Sequence, residues 1–81
     1  MRFMENRVVK KIKLRPDEVK EFVRVACNCK FEVDIAYNRY VVDAKSILGV
    51  LGLDFNQILT VSYEGYNYEL ESFLKASAFA C

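Results

Sequence analysis

The 81-residue chain has no histidine, one proline and three glycines. Histidine is the side chain whose ordinary pKa lies nearest neutrality, so its absence excludes any carrier or acid–base chemistry that needs an imidazole. It also strips zinc of its commonest nitrogen ligand. The three cysteines, Cys27, Cys29 and Cys81, are odd in number. Their C-x-C spacing is not the C-x-x-C of zinc or redox sites, and four ligands would need a carboxylate or a second chain. They read as free thiols of a reducing compartment, with Cys81, the last residue, expected to be exposed and reactive. No run approaches the ~20 apolar residues of a membrane span. The start, Met1-Arg2-Phe3-Met4-Glu5-Asn6-Arg7, has no apolar run of signal-peptide length, so a cytoplasmic protein is expected. There is no glycine-rich phosphate loop and no convincing carboxylate pair. No catalytic constellation is visible, and neither an enzyme nor a cofactor is expected.

Apolar residues make up 53% of the chain and are spread along its whole length, which excludes disorder. A chain this long forms one domain, residues 1–81, and buries roughly 60–65% of its unfolded surface. The formal net charge is +1, unevenly placed. Arg2, Arg7, Lys10, Lys11, Lys13 and Arg15 face only Glu5 in the first fifteen residues. Asp54, Glu64, Glu69 and Glu71 face only Lys75 from residue 54 onward.

Val8, Ile12 and Leu14 alternate with charges and predict a strand, interrupted by Lys10. Arg15-Pro16-Asp17-Glu18 then starts a helix. Proline suits the first turn, where its missing N–H would have no partner, and the two acids favour the positive end of the helix dipole. Val19, Phe22, Val23, Ala26 and Cys29 follow at helical spacing, which predicts an amphipathic helix over about 16–29. Phe31, Val33, Ile35 and Tyr37 alternate with Glu32, Asp34, Ala36 and Asn38 in the cleanest strand pattern of the chain. Asn38-Arg39 reads as a tight turn, and Tyr40, Val41 and Val42 return as the second strand of a hairpin. Ser46 is placed to cap a short helix over about 47–52. Gly49 stands where a reciprocal capping box would want Glu or Gln, so the cap is single. Ile58 to Tyr63 is β-rich and ends at Glu64-Gly65. Leu70, Phe73, Leu74, Ser77 and Cys81 recur at helical spacing in a last helix. The order β-α-β-β-α-β-α predicts an α+β open-faced sandwich, a four-stranded antiparallel sheet with helices on one face.

Three local patterns carry a resemblance. Asp43-Ala44-Lys45-Ser46 followed by Ile47-Leu48-Gly49-Val50-Leu51 is similar to the regulatory-serine helix of the HPr family, the small phosphocarriers of the bacterial sugar phosphotransferase system. Phe22-Val23 on the first helix and Leu59-Thr60-Val61 through Glu64-Gly65 support the same alignment, which covers nearly the whole chain. The resemblance implies an HPr-like fold.

The family's carrier motif, Gly-Leu-His-Ala-Arg-Pro-Ala, belongs at residues 13–19. The chain there reads Lys13-Leu14-Arg15-Pro16-Asp17-Glu18-Val19. Without gaps, Arg15 takes the histidine's place and Asp17 that of the arginine which neutralises the phosphate. This register keeps Phe22, Val23 and Ser46 aligned. With a two-residue shift, Arg15-Pro16 matches Arg-Pro and Lys13 stands for the histidine. Neither register offers an imidazole. A guanidinium is protonated at any relevant pH and is a poor nucleophile, and Asp17 would repel a phosphoryl group. Accepting phosphate from phosphoenolpyruvate is therefore not expected.

The other half of the family's chemistry is kept. In HPr of Gram-positive type a kinase phosphorylates the serine matched by Ser46, and the product binds a catabolite repressor. The plain alternative is an ordinary N-cap serine. Ile47, Leu48 and Leu51 match the family's partner-docking patch. The spacing that turns Val50 and Leu53 inward leaves these three partly exposed, unless all five lie in the core. The resemblance thus implies carbon-catabolite regulation through protein partners, with no membrane and no direct nucleic-acid contact, as a monomer or weak dimer. Lys10, Lys11, Lys13 and Arg15 would suit nucleic-acid phosphates. They lack interleaved aromatics, and a solvated strand edge is the preferred reading.

Overall fold

The computed structural model describes residues 7–79. Arg2, Glu5 and Cys81 lie outside them. Four strands, β1 (Val8–Ile12), β2 (Val33–Tyr37), β3 (Tyr40–Asp43) and β4 (Leu59–Tyr63), form one antiparallel sheet in the order β1-β4-β2-β3. Three helices, α1 (Val19–Cys27), α2 (Ile47–Leu51) and α3 (Tyr68–Ser77), complete an α+β open-faced sandwich in the expected element order. Among the described residues no helix is long and apolar enough to cross a membrane.

Strand periodicity decides which face is covered. Ile12, Leu59, Val61, Tyr63, Val33 and Ile35 share one face in register and are fully buried. Val19, Phe22 and Ala26 of α1 and Leu70 and Leu74 of α3 close over them. Phe22 and Phe73 meet at a ring separation of 5.7 Å and fix α1 against α3. Each such aliphatic or aromatic side chain contributes roughly 1.5–3 kcal/mol on burial. The opposite face carries Ser62, Asp34 and Asp43 in one cross-strand row and Thr60, Ala36 and Val41 in the next. Arg7 spans it, donating to Asp34 Oδ2 at 2.9 Å and to Ser62 Oγ at 3.3 Å. No polar or charged residue is fully buried among the described residues.

Several boundaries differ from the periodicity. Pro16–Glu18 is a single 3-10 turn, and α1 ends at Cys27 rather than 29. Asn28 N–H is shared between the Arg24 and Val25 carbonyls, and Cys29 N–H turns back to Ala26, so the last turn tightens and stops. β2 begins at Val33, not Phe31. The Phe31 ring instead stacks on Tyr63 at 5.8 Å and lies against Gly65, whose φ of 152° only glycine adopts freely. The last helix stops at Ser77. Ala78 turns extended and pairs with Ile12, Lys13 N–H donates to Ser77 O at 3.1 Å, and Phe79 N–H donates to Lys11 O at 3.0 Å. The open hydrogen-bonding edge of β1 wins over another helical turn.

Candidate functional site

The tip of the β2–β3 hairpin begins the site. Tyr37 and Tyr40 are directly opposed across Asn38-Arg39, and Asn38 supplies the left-handed residue of the turn at φ 55°. From β3 the chain enters a tight corner. Ala44, fully buried, ties to Val33 O at 2.8 Å, Lys45 N–H bonds Asp43 Oδ1 at 2.9 Å, and Ser46 N–H bonds Asp43 O at 2.9 Å. The corner delivers Ser46 in extended conformation at the N-cap of α2, where its Oγ accepts from Gly49 N–H at 3.3 Å. The cap is single, for the reason read in the sequence. Gly49 also lets α2 approach β3, because a Cβ there would stand 3.3 Å from Val42 Cβ.

Five-residue α2 points Val50 into the core, with Leu53 just beyond it. Its other side chains are left to solvent: Leu48 is 80% exposed, Leu51 51% and Ile47 40%. Exposed Ser46 borders them. Between the hairpin tip and α2 runs an apolar cleft of about 560 Å³, walled by Tyr37, Tyr40 and Val42 on one side and by Leu48, Gly49, Gly52 and Leu53 on the other. Asp54 is its one charged lining residue.

The C-terminal end of α1 meets this corner. Lys45 Nζ donates to Cys29 O at 3.1 Å, and the exposed Cys27 thiol donates to Lys45 O at 3.5 Å. Cys29 is buried, its thiol on Val25 O, and burial pushes its pKa up, which keeps it a protonated, inert thiol. Both cysteines are free. Among the described residues, no group of three or more acids and cysteines converges as a metal-ligand set.

Arg15 and Asp17 sit at the other end of α1, about 13 Å of helix away. There they pair with each other: Arg15 Nε and Nη2 donate to the two Asp17 carboxylate oxygens at 3.2 and 3.1 Å, both side chains in solvent. The Asp17 hydrogen bond raises the Arg15 pKa further, and Arg15 holds the Asp17 carboxyl below its usual range. Arg15 N–H also caps back to Glu18 Oε1 at 3.0 Å. This end presents a charge-neutralised pair, and among the described residues no hydrogen bond or ion pair joins it to Ser46. Lys10, Lys11 and Lys13 are exposed, with Lys13 Nζ bonded to Asn56 O at 2.8 Å.

Sequence reasoning missed the tyrosine wall of the cleft. The signal was present, since residues flanking a two-residue hairpin turn share a face. No protein-family model, no curated protein and no solved structure matches the chain.

Proposed function

We propose that this chain is a non-enzymatic, HPr-like regulatory or docking module of a bacterial phosphotransferase network. It works in the cytoplasm, unable to carry phosphate on histidine, and acts through Ser46 and α2. The observation that carries the reading is the juxtaposition on α2. An exposed serine at the helix N-cap borders an uncharged, solvent-facing surface of Ile47, Leu48 and Leu51. An apolar patch that the fold does not need is a reasonable place for a protein partner. A phosphate on Ser46 would alter that border by close to two charges without touching the core. The partners this implies are a serine kinase and a catabolite repressor. The lack of histidine and the self-paired Arg15–Asp17 support the loss of the carrier step.

One observation favours a second reading, an interaction protein of the same fold with no phosphoryl chemistry at all. Lys45, the cation next to Ser46, is committed to Cys29 O, and Asp43 stands on the corner below. A phosphate there would find no free lysine on its own loop. The purified protein incubated with ATP and the family's serine kinase separates the two. Added mass that fragments to Ser46 supports the regulatory reading, and an unchanged mass supports the second.

A further inference from the structure

β3 ends the sheet, and its register fixes which backbone groups point outward. Ala44 N–H donates to Val33 O at 2.8 Å, in step with the β2–β3 pairs. Antiparallel pairs alternate, so Ala44, Val42 and Tyr40 turn their polar groups toward β2, and Val41 and Asp43 turn theirs away. The Arg39 carbonyl also faces out, because a trans peptide sets it opposite the Tyr40 N–H. One outward group is already retired inside the fold, the Asp43 carbonyl, which accepts from Ser46 N–H at 2.9 Å. Four are left: the Arg39 carbonyl, the Val41 N–H, the Val41 carbonyl and the Asp43 N–H. None of them has a partner among the described residues. α2 approaches Val42 on the face that Ile35 shares and leaves this edge clear, with Val41 63% exposed and Asp43 exposed.

We propose that the missing partner is β3 of a second copy, paired antiparallel about a two-fold axis at Val41, so that two sheets become one. The four free groups alternate acceptor, donor, acceptor, donor along the strand, and the rotation matches them to one another. It sets residue 41 against 41 and residue 39 against 43. Val41 N–H then meets the Val41 carbonyl of the second copy, and Asp43 N–H meets its Arg39 carbonyl, each twice by symmetry. The same register places Arg39 directly across from Asp43, opposite charges at both ends of the pairing. Neither side chain forms an ion pair among the described residues. Any extended peptide could meet the hydrogen bonds. The charges select one with a base and an acid four residues apart in this order, and β3 with its turn carries that pattern itself. The inference does not rest on the phosphotransferase reading, and it leaves Ser46 and the exposed side of α2 outside the pairing.

Sedimentation velocity in reducing buffer, over a roughly hundredfold range of protein concentration up to about 1 mM, tests it. The expected result is a shift from monomer to dimer as concentration rises. Amide exchange read over the same range locates the contact. Val41 and Asp43 N–H should slow about tenfold or more as the dimer fills, while Tyr40 and Val42, already bonded to β2, should change little. Val41→Pro removes a donor that β2 does not use, so it should stay monomeric with an unchanged circular dichroism spectrum. Arg39→Glu sets like charges across the axis twice and should raise the dissociation constant about tenfold. A wild-type protein that stays monomeric throughout overturns the proposal and leaves the edge to an extended peptide of another protein. A dimer that leaves Val41 and Asp43 exchange unchanged, or one that survives Val41→Pro, overturns it too. The exchange measurement uses the unaltered chain, so it decides the matter even where a variant fails to fold.

Discussion

Tyr63 is fully buried, yet its hydroxyl donates to Glu71 Oε2 at 2.5 Å. Burial and the Glu71 carboxylate together push its pKa well above the usual 10.0, so the folded protein resists giving up that proton. The unfolded chain ionises first. Stability from this group is therefore complete below pH 10 and declines as pH rises past it. Tyr63→Phe should cost about 1–2 kcal/mol at neutral pH, because Glu71 loses a donor. The gap to wild type should narrow above pH 10, which urea melts at pH 7 and above pH 10 will show. Gly65 is the second residue whose identity the fold dictates. Its φ of 152° is strained for any L side chain, and a Cβ would enter the Phe31 ring. Gly65→Ala should lower stability by about 2 kcal/mol or more, and Gly65→Ala with Phe31→Ala should not recover all of it, because the backbone strain remains.

At the scale of the element, α2 is held at its two ends and by one face. Ser46→Ala removes the side-chain acceptor for Gly49 N–H and should cost about 1 kcal/mol, whereas Ser46→Asp keeps an acceptor and should cost less. Leu48→Asp changes a side chain left 80% exposed, so the melting temperature should scarcely move while binding through this face is lost. A large fall in melting temperature would show that Leu48 serves the fold. α2 was legible in the sequence because a cap serine and the inward pair Val50 and Leu53 are local signals. The strand 33–37 was legible for the same reason, since alternation needs no partner to be seen. The ends of α1 and α3 were not. Periodicity ran on to Cys29 and Cys81, but the competing hydrogen bonds came from Ala26 and from β1, and only the folded chain brings Ala78 to Ile12. The cleft was half legible. Its α2 wall follows from helix spacing, whereas its tyrosine wall depends on how the hairpin leans against α2. The role matched to Ser46 came through family resemblance, and local chemistry alone supplies only a cap.

Across the whole molecule, the two edges of the sheet are treated differently. β1 is closed over its C-terminal half by residues 77–79, which take the Lys13 N–H and fill the Lys11 carbonyl. β3, at the other edge, leads straight into the Ser46 corner, with Val41 63% exposed. Edge strands left open invite pairing with other chains, and residues 77–79 remove the C-terminal half of the β1 edge from such pairing. The lysines of β1 serve the same end, as charges along an edge resist stacking. Phe79→Pro should test this division. Proline has no N–H for Lys11 O and prefers to break the pairing. Amide exchange at Lys13, bonded to Ser77 O, should speed up about tenfold or more, while exchange in the β2–β4 centre of the sheet stays slow. Uniform acceleration through the sheet would mean that β1 and its C-terminal cover open only with the rest of the protein. Selective acceleration would show an edge that is closed by residues 77–79 and separable from the core.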